Sequence, residues 1–172
     1  MKNLDTKKLI LIKKLIGLGC GVLSLLLMFL NFIKYTSSSS IKSGSAITWH
    51  DQTSLFTFLF NGKSALLDSK VYILRDIFSF SHVVMWVSFI ICLISIAILI
   101  VGVFSKKGLI SKIGSYALST SILLLIIIRF KPYTSGNTIK YLDCFTPIYL
   151  LILLISFVGL FATSTLEDKK DQ

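Results

Sequence analysis

The sequence predicts an all-α membrane protein, a four-transmembrane-helix bundle with an extracytoplasmic loop between helices one and two. Three observations carry that expectation. The apolar residues come in long blocks, the charged residues sit between the blocks, and one connecting segment is far longer than the others. Of 172 residues, 54% are apolar and 15% charged, against roughly 45–50% and about 25% in soluble globular proteins. A soluble chain of this length could not hide such blocks in one core.

A helix crossing a bilayer needs about 20 apolar residues to cover a core of ~30 Å. Leu15 to Ile33, between Lys14 and Lys34, gives 19 uncharged residues; Ile77 to Ser105 gives 29, and Cys144 to Leu166 gives 23. The remaining block, Ile113 to Ile128, has only 16. Its flanking Lys112 and Arg129 can snorkel, and Leu109 and Ile110 extend it backwards. The expected helices therefore cover about 12–33, 77–104, 109–130 and 145–165, within a single membrane domain of residues 1–172. The first block exceeds the 7–15 apolar residues usual in a signal peptide, and no A-x-A site follows it, so a retained helix is expected.

Charge placement sets the expected orientation. Lys2, Lys7, Lys8, Lys13, Lys14, Lys106, Lys107, Lys112, Lys169 and Lys170 fall in some thirty positions on one side; the other side holds eight basic residues in nearly sixty. Both termini are thus expected in the cytoplasm of a multi-pass plasma-membrane protein. The net charge of +10 fits contact with anionic membrane lipid. It does not indicate nucleic acid, since no basic stripe or aromatic platform accompanies it. Lysine outnumbers arginine sixteen to two, which with the abundance of Ile, Leu, Ser and Phe fits an AT-rich bacterial genome.

Each block carries small residues at helical spacing, which let backbones approach where lipid supplies no hydrophobic drive. The candidate packing residues are Gly17, Gly21, Ser115, Ser119 and Gly159, joined by Ser24, Ser88, Cys92, Ser95, Ser111, Ser156 and Thr163. They serve either packing within the bundle or, at the Gly17/Gly21 face, contact with another subunit.

The outer loop, 34–76, opens with a polar Ser-rich stretch, Tyr35 to Ser45, that reads as flexible. An apolar run follows, Leu55-Phe56-Thr57-Phe58-Leu59-Phe60, and then Asn61-Gly62. Asn-Gly after β-prone residues signals a short β-hairpin; the alternative is a short helix lying on the membrane. From Asp68 the pattern turns helical, with Val71, Leu74, Ile77 and Phe78 on one face. Trp49, Leu55, Phe56, Phe58 and Phe60 are the candidate interaction residues. Trp49, Trp86, Tyr35, Tyr133 and Tyr141 fall where an aromatic belt would.

Motifs for chemistry are missing from the sequence. No ionisable residue falls deep in a block, which disfavours proton-coupled transport and intramembrane proteolysis. His50 and His82, with Asp51, Asp68, Asp143 and Cys144, match no metal-ligand spacing. No G-x-S-x-G elbow or phosphate-binding glycine loop occurs. Cys20, Cys92 and Cys144 include no CxxC, so no catalytic residue, metal or cofactor is assigned. The layout resembles that of claudin-like four-helix proteins, which also keep both ends inside and place their largest loop between helices one and two. Trp49 stands in that loop, but the paired loop cysteines of that family are missing here, so the resemblance is one of topology.

The expected function is non-enzymatic: a polytopic membrane protein acting by contact with protein or lipid, as an accessory subunit, assembly factor or immunity-type protein. The partner would be a membrane or extracytoplasmic protein, or a second copy. The alternative is a small oligomeric channel or transporter component. Topology is testable with a membrane-impermeant thiol reagent on intact cells. Cys144, at the outer end of helix four, should react unless it is buried. Ser43→Cys should label from outside and Ser105→Cys should not; the reverse pattern would overturn the orientation.

Overall fold

The computed structural model describes residues 2–40, 46–61, 75–130, 133–135 and 138–166, and side-chain surroundings for 6–34, 52–60, 80–128 and 144–166. The element order is α1 (Lys2–Leu27), β1 (Asn31–Ser40), β2 (Ala46–Ser54), α2 (Leu55–Asn61), α3 (Arg75–Phe104), α4 (Gly108–Leu124), a 3₁₀ turn (Leu125–Phe130), β3 (Tyr133–Ser135), β4 (Thr138–Asp143) and α5 (Pro147–Ser164). Four helices are long and apolar enough to cross a membrane: Thr6–Leu27, Phe80–Phe104, Gly108–Ile128 and Pro147–Ser164. Their 18 to 25 residues correspond to about 27–38 Å of helix. The chain divides into two compact units, one of residues 1–26, 89–122 and 151–172, the other of 27–88 and 123–150.

In the first unit, small side chains take many of the buried positions beside a few large ones such as Leu99, Leu118, Ile122 and Ile152, and most exposed positions are large and apolar. On α1, Lys14, Gly17, Gly21 and Ser24 are buried, while Leu15, Ile16, Val22 and Leu23 are exposed. On α4, Ser111, Gly114, Ser115, Leu118 and Ser119 are buried, and Leu109, Ile113 and Tyr116 exposed. On α5, Ser156, Gly159 and Thr163 turn inward, and Leu154, Phe157 and Phe161 outward. A soluble bundle packs its large apolar side chains inside; this polarity is that of helices packed through small residues.

The contacts show why those residues must be small. A Cβ on Gly17 would lie 2.6 Å from Thr163 Cγ2 and 3.4 Å from Ser115 Oγ, so α1 meets α5 and α4 there. On Gly159 it would lie 2.9 Å from Cys20 Cβ. Gly21 is looser, with Leu99 at 3.2 Å and Leu118 at 3.6 Å. The tightest approach is at Gly102, which the sequence reading did not single out: Ser111 Oγ at 2.5 Å, Ser111 N at 3.0 Å and Ser111 Cα at 3.1 Å. Buried hydroxyls mostly bond back to their own helix, as Ser95 does to Ile91 O (2.6 Å) and Ser156 to Leu153 O (2.7 Å). Ser119 Oγ donates across to Ser156 O at 3.4 Å.

The second unit has a conventional core of large side chains: Phe32, Ile33, Leu55, Phe58, Met85, Leu125, Ile128 and Tyr149 are all fully buried. Phe32 stacks on Tyr149 with ring centroids 6.3 Å apart. The same unit contains a four-stranded antiparallel sheet of order β2-β1-β4-β3, whose β1 contributes Phe32 and Ile33 to the core. β1 pairs with β2 from Asn31↔Ser54 to Ser40↔Ala46, and with β4 from Lys34↔Asp143 to Ser39↔Thr138.

Three expectations for the loop are corrected here. The Ser-rich stretch, read as flexible, supplies β1, because serine accepts extended backbone once both neighbouring strands satisfy its N–H and C=O groups. Leu55–Phe60 is not a hairpin arm but helix α2, a short helix as in the alternative reading. Ser54 Oγ accepts from Thr57 N at 3.0 Å, an N-cap that ends β2 and starts the helix. Apolar Phe32 and Ile33, assigned by sequence to the first helix, belong to β1, and α1 stops at Leu27. The expected return arm 63–67 and the start of the helix expected near 69 lie outside the described residues.

A further pairing joins β3 and β4, from Tyr133↔Lys140 to Ser135↔Thr138. Thr146 Oγ1 accepts from Tyr149 N at 3.3 Å and Pro147 opens α5, a helix start that the sequence encodes directly. Cys144, placed by sequence at the outer end of helix four, is buried; that is the condition under which it does not report topology.

The glycine contacts predict a graded mutational response. Gly102→Ala gains about 1 kcal/mol of helix propensity but forces a Cβ against the Ser111 backbone, and should lose roughly 1–3 kcal/mol net of relaxation. Gly19→Ala, which meets nothing within 4 Å, should be neutral or stabilising. Gly17→Leu and Gly21→Leu should lower the thermal midpoint in detergent more than Leu25→Ala. Equal tolerance of all these substitutions would remove the close-contact claim.

Candidate functional site

The feature that bare packing does not require is an aromatic row in the second unit. α2 is amphipathic at i, i+3, i+4 spacing: Leu55, Phe58 and Leu59 are buried, whereas Phe56 and Phe60 are 40% and 55% exposed. The exposed pair lies one helical turn apart, with ring centroids 4.4 Å from each other. Phe29, just past the end of α1, meets Phe56 at 4.9 Å. On the other side Phe60 meets Trp86 of α3 edge-on at 5.3 Å and 69°. Trp86 stands at 87° to His82, one turn earlier on α3, and His82 lies 6.0 Å from buried Phe58. The row Phe29–Phe56–Phe60–Trp86–His82 thus joins three elements through geometries that aromatic quadrupoles favour.

His82 anchors the row to the helix it faces. Its Nε2 lies 3.4 Å from Leu59 O, where the Nε2–H tautomer donates to a carbonyl near the C-terminal end of α2. α2 is held at its other end by the Ser54 cap, where Ser54 Oγ also donates to Thr57 Oγ1 at 2.8 Å. A seven-residue helix has little stability of its own. These contacts and the burial of Leu55, Phe58 and Leu59 hold it with Phe56 and Phe60 outward.

Of the interaction residues singled out from sequence, the structure separates two groups. Leu55 and Phe58 are core. Phe56 and Phe60 form the exposed row, and Phe29, Trp86 and His82 join it from α1 and α3. Trp49 lies on β2 opposite Ser37, and its side chain is outside the described residues, as is that of His50. Phe29 carried no separate signal, because it sits inside an apolar block and only the turn after α1 sets it apart.

The structure also relocates a charge. The sequence reading counts Lys14 among the basic residues that flank the first apolar block on the cytoplasmic side. The side chain is instead only 3% exposed, and its Nζ donates to Ser105 O, just past the end of α3. The adjacent Lys13 reaches Thr165 O, just past the end of α5, at 3.4 Å. Two consecutive lysines of α1 therefore sit against the carbonyl ends of two helices, where the partial negative charge of each helix favours a cation.

Among the described residues, no group of three His, Cys, Asp or Glu side chains is placed to hold a metal. Compared with known proteins, the chain matches no family and no curated sequence at a significant level.

The two faces of α2 should respond differently. Phe58→Ala opens a cavity in the core of the second unit and should cost about 3–5 kcal/mol. Phe60→Ala loses aromatic edge contacts worth roughly 0.5–1.5 kcal/mol. Thermal midpoints of the purified variants check this; a Phe60→Ala loss as large as that of Phe58→Ala would make the exposed row structural.

Proposed function

We propose that this chain is a non-enzymatic, multi-pass plasma-membrane protein that acts by contact, engaging a protein partner through the aromatic row of α2 and α3. The observation that carries the reading is the outward display of Phe56 and Phe60 on a helix capped and packed to hold them there. Leaving the two phenylalanines 40% and 55% exposed forgoes part of the roughly 1.5–3 kcal/mol that full burial would give each, and interfaces concentrate aromatic anchors of this kind. The inside-out polarity of the first unit supports the membrane setting, and the lysine distribution supports cytoplasmic termini. An accessory subunit, an assembly factor and an immunity-type protector all fit this mode.

A second reading, a small oligomeric channel or transporter component, draws on a different observation. Ser24, Ser111 and Ser115 each bury a hydroxyl without a hydrogen-bond partner, and buried polar groups are normally satisfied. It ranks lower because a serine hydroxyl on a helix needs only a rotamer change to reach its own i−3 or i−4 carbonyl, as Ser95 and Ser156 do.

The deciding experiment is the double variant Phe56→Ser with Phe60→Ser in the full chain, read by detergent-stable yield and by native pull-down. Preserved yield with loss of partner recovery is the expected result. Normal recovery would move the functional surface elsewhere, to the bundle face first, and collapse of yield would show the row to be structural.

A further inference from the structure

The lysines of the first unit fall into two sets with different work. Among the residues of this unit whose side chains are described, the only charged ones are Lys7, Lys8, Lys13, Lys14, Lys106, Lys107 and Lys112. Over its full sequence the unit has ten lysines and four carboxylates, an excess of six positive charges. Lys13 and Lys14 turn to helix-end carbonyls of the same unit. Lys7, Lys8, Lys106 and Lys107 are exposed. The turn carrying the last two is fixed rather than loose: Ser105 Oγ accepts from Lys107 N at 3.1 Å, and Lys14 holds the Ser105 carbonyl.

Each exposed lysine pair also borders an exposed apolar surface. Lys7 and Lys8 precede Leu9, Leu11 and Ile12, while Lys106 and Lys107 precede Leu109 and Ile113, all five apolar residues being exposed. Cationic heads running directly into apolar flanks match the order of phosphate and acyl chain in one lipid leaflet. A nucleic acid would satisfy the charge but leave the flanks in water.

We infer that Lys7, Lys8, Lys106 and Lys107 form a docking surface for the phosphate groups of anionic phospholipids. The inference rests on the reading that the chain crosses a membrane. Lys13 and Lys14 are not part of the surface; they position the helix ends around it. Attraction between these exposed lysines and lipid phosphates is screened by salt, the Debye length falling from about 10 Å at 0.1 M to about 3 Å at 1 M.

The test uses the full chain reconstituted in nanodiscs of phosphatidylcholine alone and of phosphatidylcholine with one quarter phosphatidylglycerol. Lipids retained after gentle extraction are counted by native mass spectrometry. Phosphatidylglycerol should be retained severalfold above its share of the bilayer, each exposed lysine contributing up to roughly fivefold, and the preference should fall at high salt. The variant with Lys7, Lys8, Lys106 and Lys107 all changed to Gln should lose the preference, while Lys13 and Lys14 remain to hold the helix ends. Equal retention of the two lipids by the unaltered chain would overturn the inference alone. So would a preference insensitive to salt, or co-purification with nucleic acid in place of phosphatidylglycerol. Failure to enter either bilayer would overturn the membrane reading and the inference with it.

Discussion

Closeness between helix backbones is the constraint on which the rest of the first unit depends. At Gly17, Gly102 and Gly159 the neighbouring helix stands where a side chain would begin: a Cβ would lie 2.5 to 2.9 Å from the nearest atom. Such approaches maximise van der Waals contact and allow cross-helix bonds such as that from Ser119 to Ser156 O. They also dictate composition. With Gly, Ser, Cys and Thr at most of the facing positions, the buried large apolar residues are few, Leu99, Leu118, Ile122 and Ile152 among them, and many of the bulky Leu, Ile, Val and Phe residues lie on the outer faces. The exposed apolar surface is the counterpart of the tight interior, on helices long and apolar enough to cross a membrane.

The second unit answers to a different physics. It packs Phe, Ile, Leu and Tyr as a water-soluble domain does, and it holds a sheet in which β1 follows the first long helix and β4 comes from the connection between the third and fourth long helices. The two connections are thus one structure, hydrogen-bonded along Lys34–Ser39 and Thr138–Asp143. A surface presented by α2 therefore rests on residues from both, and deleting the first loop would also strip β4 of its β1 partner and leave it paired with β3 alone.

How much of this was legible in the sequence follows from how local each signal is. The four apolar blocks, the Thr146-Pro147 start of α5 and the small faces of α1 and α5 are patterns within one element, and they could be read. The pairing of β1 with β4 is set by residues about a hundred positions apart, and nothing in Tyr35–Ser40 alone distinguishes a strand from a linker. Asn61-Gly62 drew the hairpin reading to Leu55–Phe60, while the Ser54 hydroxyl that caps α2 was the weaker-looking and governing signal. Gly102 was overlooked because its role depends on Ser111, across a turn in the neighbouring helix. Lys14 was counted only as a flanking basic residue, because burial of a cation becomes visible only with the carbonyl that receives it.

The central position of β1 carries a consequence for how the chain is made. Translation proceeds at roughly 5–20 residues per second, so β4 emerges several seconds to some twenty seconds after its partner. During that interval β1 and β2 can close on each other, but the opposite edge of β1, a row of serine and threonine backbone groups, is left open. An open strand edge invites pairing with other chains. The Ser-rich composition, poor in the large apolar side chains that make such edges adhesive, keeps that nascent edge quiet until Thr138–Asp143 arrives.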